Sequence, residues 1–158
     1  MTRELITSWS DYQAAADRLL AMACQQISIY DEDLAWIKLD SPANLERLQR
    51  ILKDGRGEAL HIALRDASQL SQRHPALLRL LTVYGHRAAA QQTPPHLAHL
   101  RDSMILVDGK HALIRFDRDQ ARSKLLIDEA EELRPYVARF AEIYAAGGEP
   151  VRTTALGL

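Results

Sequence analysis

The sequence predicts an α/β domain with one mixed, mainly parallel sheet held between helical layers. Three observations carry this. Segments with apolar residues at helical spacing alternate with short apolar runs, in the order α, β, α, β, α, β, a β-hairpin and α. The stretch Ala59-Leu60-His61-Ile62-Ala63-Leu64 is nearly continuous in apolar character, as expected of a strand covered on both faces. Asp108-Gly109 separates Met104-Ile105-Leu106-Val107 from Ala112-Leu113-Ile114, a hairpin signal that adds at least one antiparallel strand.

Taken in order, residues 1–9 read as a lead-in. Ser10 followed by Gln13 resembles a capping box, and Tyr12, Ala16, Leu19, Leu20 and Ala23 define a helix over about 10–25. Ile27, Ile29 and Tyr30 form a short strand that ends at Asp31, Glu32 and Asp33. Ser41 and Pro42 are an N-cap and first-turn pair for a helix carrying Leu45, Leu48, Ile51 and Leu52, stopped near residue 54 by Gly55 and Gly57. After the strand at 59–64, a polar connection over 66–74 leads to a helix from Pro75 to Tyr84, closed by Gly85. Arg87 to Gln91 is a weak strand, and Thr93-Pro94-Pro95 is irregular. The hairpin follows, then a charged loop from Asp117 to Ser123. The last helix spans Glu131 to Ala145, its proper start placed near residue 134 because Pro135 is tolerated only in a first turn. Domain organisation is therefore a lead-in (1–9), one domain (10–146) and a loose tail (147–158).

Charge and composition exclude several functions. The 20 basic and 21 acidic side chains leave a net charge of −1, too little for bulk attraction to DNA or an anionic membrane, though a local patch stays open. A 47% apolar share and 26% charged share describe a globular chain. Cys24 is the one cysteine, so neither an intrachain disulfide nor a cysteine metal cage can form; it is read as a small buried hydrophobe. No apolar run reaches membrane-spanning length and the start lacks a signal-peptide core, so a cytoplasmic protein is expected.

Several residue clusters have both a chemical and a plainly structural reading. His96, His99 and His111 could hold zinc, but the Pro94-Pro95 context makes the first two a polar loop, and no metal site or cofactor is expected. Asp31, Glu32 and Asp33 follow a strand as the metal-binding acids of a receiver domain would, yet a helix precedes that strand; a solvated strand end is the default. Arginine outnumbers lysine 16 to 4, which base composition alone would produce. Arg65, Arg101 and Arg115 nonetheless lie within or beside predicted strands, where ligand crevices form, and are anion-binding candidates together with His99. His61 is read as an imidazole bonded to a neighbour, and Trp9 and Trp36 as cover for a core edge or an interface.

The passages Leu19-Leu20-Ala21 through Ile27-Ser28-Ile29-Tyr30, the strand at 59–64, and Ser103-Met104-Ile105-Leu106-Val107-Asp108-Gly109, in this order, resemble one half of the phospholipase D superfamily over residues 10–146. That resemblance implies a strand carrying His-x-Lys with an Asp after four further residues. Here Arg101 falls on the histidine position, Ser103 on the lysine position and Asp108 on the acid, while Arg115 and Phe116 replace the small polar residues of the next strand. The family histidine attacks phosphorus; a guanidinium stays protonated and cannot, although it can still bind phosphate. Loss of a covalent nucleophile lowers rates on the order of 10⁶-fold. A group of bacterial domains with this degenerate pattern, some joined to GNAT-type acetyltransferase modules, is similar as well.

The resemblance thus implies a non-catalytic module, a pseudoenzyme, that binds a phosphate-like anion or a protein partner, with no catalytic residue at Arg101, Ser103 or Asp108. Because active members pair two halves, a homodimer is expected. The alternatives are a weak phosphodiesterase or nuclease using His99 or His111, and an accessory domain of an acetyltransferase. No membrane partner is expected, and nucleic acid is not a favoured one.

Overall fold

A computed structural model describes residues 1–54 and 57–151. Eight strands, β1 (Thr2–Ile6), β2 (Ile27–Asp31), β3 (Leu60–Leu64), β4 (Ala88–Gln92), β5 (Ser103–Val107), β6 (His111–Arg115), β7 (Ser123–Ile127) and β8 (Glu149–Pro150), form one sheet. Their order is β1-β7-β6-β5-β2-β3-β4-β8. The helices are α1 (Trp9–Met22), α2 (Pro42–Asp54), the single turn α3 (Leu70–Arg73), α4 (Pro75–Val83) and α5 (Ala130–Ala145), with a 3₁₀ turn at Pro95–Leu97.

The sheet is mixed and flanked by helices, as expected. Parallel pairing is confined to β2–β3 and β3–β4, and the other pairings are antiparallel. The expected preponderance of parallel strands therefore holds only for the βαβ part. Short connections such as Asp108–Lys110 cannot return a chain parallel to itself, so β5, β6 and β7 meander.

Alternation along each strand sorts side chains to two cores. Ile29, Ile62, Ile105 and Leu113 face α1, α2 and α4, where Leu19, Leu20, Leu48, Leu52, Leu77 and Leu81 close over them. Tyr30, Ala63, Met104, Ile114 and Leu126 face α5 and meet Leu133, Phe140 and Ile143.

Several local expectations shift. The N-cap of α1 is Ser8, not Ser10: its hydroxyl accepts from the Asp11 N–H at 3.1 Å. The Ser41 hydroxyl caps α2 through the Asn44 N–H, as its sequence suggests. The Gly55 stop signal lies outside the described residues. Thr2–Ile6, read as lead-in, pairs with β7 as an edge strand; three of its five side chains are exposed, so no apolar run marked it. Ser123–Ile127 is a strand where the sequence reading ended a charged loop, and Leu125 and Leu126 bury on opposite faces. Helix α5 begins at Ala130 and runs unbroken through Pro135, since burial of Leu133 outweighs one absent N–H. Of the expected tail, Glu149–Pro150 pairs with β4, and residues 152–158 lie outside the described residues. Cys24 is exposed rather than buried.

Asp108 and Gly109 both take positive φ (56° and 67°), the geometry an Asp-Gly turn supplies. The Asp108 carboxylate accepts from the backbone N–H groups of Cys24, Gln25 and Gln26 at 2.9, 2.8 and 2.9 Å. It thereby ties the exit of α1 to the hairpin.

His74 joins α3 to α4 and is buried with neither ring nitrogen hydrogen-bonded. Burial lowers its pKa below 6.5, against the opposing pull of Asp40 and Asp33. The fold thus prefers the neutral ring while the unfolded chain takes up a proton near its ordinary pKa. This contribution is intact above about pH 6.5 and is lost as pH falls towards the folded value. His74→Phe is expected to flatten the decline of the urea midpoint between pH 7 and pH 5; an unchanged slope would show that His74 does not titrate with unfolding.

Candidate functional site

One end of the sheet gathers charge on the α1 face. Asp31 ends β2, Ser103 begins β5, Arg115 ends β6 and Ser123 begins β7. In register, Ser103 lies opposite Arg115, and Arg115 opposite Ser123. All four side chains are buried.

Arg115 organises this row. Its Nη2 donates to Asp31 Oδ1 at 2.7 Å and to the Ser103 hydroxyl at 2.9 Å, and both ionic side chains are 1% exposed. Its guanidinium carbon lies 4.9 Å from the Tyr12 ring centre and 5.2 Å from that of Trp9. Nε and Nη1 have no hydrogen-bond partner, so the two aromatic faces supply much of their compensation. Asp31 Oδ2 is occupied as well, accepting from the Leu34 N–H at 2.7 Å. Burial, with Asp31 nearby, pushes the Tyr12 hydroxyl well above its ordinary pKa, so it stays protonated. Asp31 is therefore not the solvated strand end the sequence suggested.

A second layer surrounds that pair. Glu32 Oε1 accepts from Arg65 Nε at 2.9 Å and Arg118 Nη1 at 3.2 Å. Burial pushes the Glu32 pKa up, but these two hydrogen bonds prevail and hold it below the usual carboxylate range. Arg65 also donates to the Asp102 carbonyl at 2.7 Å and lies over Tyr30. Asp102 in turn takes Arg139 from α5 at 2.8 Å. Farther out, Arg101 bonds Asp117 at 2.9 and 3.0 Å and Asp119 at 2.5 Å. The Arg101 contact and the Asp119 N–H hold Asp117 down at a pKa of about 2. Trp36, 38% exposed, stacks on Trp9 with ring centres 3.9 Å apart. A cavity of about 320 Å³ opens here between Trp36, Arg115, Arg118, Glu32, Asp33 and Asp119.

Of the sequence candidates, Arg65, Arg101, Ser103 and Arg115 meet at this end, but each arginine is already bound to a carboxylate. Asp108 lies beyond the opposite end of β5, about 17 Å away at strand rise. His99 is exposed after the 3₁₀ turn. His111 begins β6, at the far end from Arg115, and its Nδ1 accepts from the Asp128 N–H. The histidines read as zinc candidates are thus not brought together. The contacts of Asp31, Asp102, Arg118 and Arg139 join residues 37 to 86 positions apart, and no spacing rule in the sequence reports them.

A guanidinium remains protonated and is no nucleophile, and the Ser103 hydroxyl accepts from the same Arg115 Nη2 that donates to the Asp31 carboxylate. Arg115→Met is expected to destabilise the fold by about 3–5 kcal/mol in urea denaturation, because it strands the buried Asp31 charge. Combining it with Asp31→Asn should cost less than the sum of the two single changes by more than about 1 kcal/mol. Strict additivity would show that the pair is not coupled.

Comparisons with known proteins agree with the geometry. No curated protein matches the sequence. Among solved structures, Nuc from Salmonella typhimurium, a phospholipase D family member, superposes with TM-score 0.63 at 12% identity, covering 96% of this chain and 98% of its own. NucT from Helicobacter pylori gives 0.55 at 8%, covering 92% and 96%. TrmBL2, an archaeal chromatin protein that binds DNA, gives 0.68 at 13%, and this chain spans 55% of that longer chain. These likenesses establish the fold as phospholipase D-like. Residues 8–154 match a domain of unknown function, DUF7931, and the chain belongs to that family.

Proposed function

We propose that this domain is a non-catalytic, phospholipase D-like interaction module. The observation that carries the reading is the buried Arg115–Asp31–Ser103 cluster: the sheet end where the resemblance places phosphoryl transfer is filled by a compensated ion pair. The four arginines paired around it favour a protein partner over a free anion. Arg65, Arg101, Arg118 and Arg139 all carry carboxylate partners, so a phosphate would have to displace them. The same pairing argues against a phosphate-tracking nucleic-acid surface at this end. Trp36 beside these charges has the aromatic and arginine composition of a protein contact, and a second copy of the chain is the first partner to test.

Incubation with bis-p-nitrophenyl phosphate and with single- and double-stranded DNA is expected to give no turnover above background, for the parent chain and for His99→Ala alike. Turnover abolished by His99→Ala would overturn the non-catalytic reading. Sedimentation velocity is expected to show a dimer that Trp36→Asp dissociates; a monomer that instead titrates saturably with inorganic phosphate would favour the anion.

A further inference from the structure

The second cavity lies at the other end of the sheet and is independent of the function proposed above. Helix α5 crosses its face from β1 and β7, where Glu132 meets Arg3 and Lys124, to β4, where the Gln91 amide donates to the carbonyls of Tyr144 and Gly147. The helix is flanked unequally. On one side the segment between β4 and β5 fills the space with Leu97 and Leu100, and Arg139 is tied to Asp102. On the other, a cleft of about 370 Å³ stays open between the helix, strands β2, β3 and β5, and the Asp108-Gly109 turn.

We propose that this cleft is a binding site for a small, planar, non-anionic aromatic molecule. Its volume falls within the range of roughly 300–1,000 Å³ usual for ligand sites. Its walls are apolar, formed by Leu106, Val137, Phe140 and Tyr144. Phe140 and Tyr144 lie 5.7 Å apart at 26°, and the methyl groups of Ala141 and Ala145 leave room beside them.

The floor is polar where the neighbouring positions on β2, β3 and β5 are not. Ser28 and His61 are opposite each other on β2 and β3, between strands that elsewhere present Tyr30, Ala63 and Leu106 to α5. His61 is oriented from both sides: Nε2 lies 3.0 Å from Glu58, and the ring stands edge-on to Tyr144 at 5.0 Å. Its Nδ1 and the Ser28 hydroxyl make no hydrogen bond to the described residues and are open to solvent in the slot. Two convergent polar groups without protein partners, set in an apolar slot, match a ligand carrying one or two hydrogen-bonding atoms.

Charge selects the class. The acids beside the slot are Asp108 and Glu58, and among the described residues no lysine or arginine lines it. Asp108 is held by three backbone N–H groups and contributes negative potential to the slot. An anion is disfavoured; a neutral or cationic ring is accepted.

The test is an NMR titration of the isotope-labelled full chain with indole, tryptamine and indole-3-acetate. Indole and tryptamine are expected to shift the Ser28, His61 and Tyr144 resonances saturably, with indole-3-acetate far weaker. Ala141→Trp, an exposed helix position on the wall, should abolish these shifts while leaving the thermal unfolding midpoint unchanged. If that variant does not fold, Val137→Trp, also exposed, serves the same purpose. Absent shifts, shifts that survive the blocking variant, or equal binding of indole-3-acetate would each overturn the proposal.

Discussion

The buried ion pair between Arg115 and Asp31 is the constraint around which one end of the molecule is arranged. Two charges removed almost wholly from water are tolerable only when hydrogen bonds and aromatic contacts supplement their attraction, because desolvation otherwise exceeds it. Meeting that demand recruits distant parts of the chain. Ser103 must start β5 opposite Arg115, the loop after β2 must turn its N–H groups back onto Asp31, and α1 must bring Tyr12 and Trp9 over the guanidinium. The register of three strands and the position of the first helix meet at one side chain. The same arrangement ties up the charged and hydroxyl groups of this sheet end in contacts with one another.

The two faces of the sheet solve a different problem. The α1 face carries three substantial helices and a continuous aliphatic core. The other carries one, and a single helix is about 10 Å wide while eight strands span several times that width. Coverage is completed on one flank by the loop before β5, and the remaining flank is where Ser28 and His61 interrupt the apolar surface. Polar side chains are tolerated there because the cleft stays open to water. The fold therefore has two dissimilar ends: one lined by paired charge, the other an apolar slot beside acidic groups.

Much of the scaffold was legible in residue order. The strand at 60–64, the hairpin at Asp108-Gly109 and the helix opened by Ser41-Pro42 follow from local patterns whose determinants lie within a few residues. Elements without such patterns escaped. The edge strand Thr2–Ile6 buries little and so shows no apolar alternation, and Ser123–Ile127 is a five-residue strand masked by the charged loop before it. Pro135 misled the placement of the last helix because a helix packed on a core survives one missing hydrogen bond that an isolated helix would not.

For the site, residue types were informative and partnerships were not. By itself the sequence determined residue types: the resemblance implies Arg101 and Ser103 at the positions of a family histidine and lysine, and that a guanidinium cannot attack phosphorus needs no coordinates. Only the tertiary structure decided that Arg101 is neutralised at the surface by Asp117 and Asp119, that Arg115 is the buried cation, and that Asp108 braces a loop at the opposite end of its strand. The reason is physical. Hydrogen bonding and burial depend on which strands lie side by side, and that adjacency is set by the packing of the whole sheet rather than by any local stretch of chain.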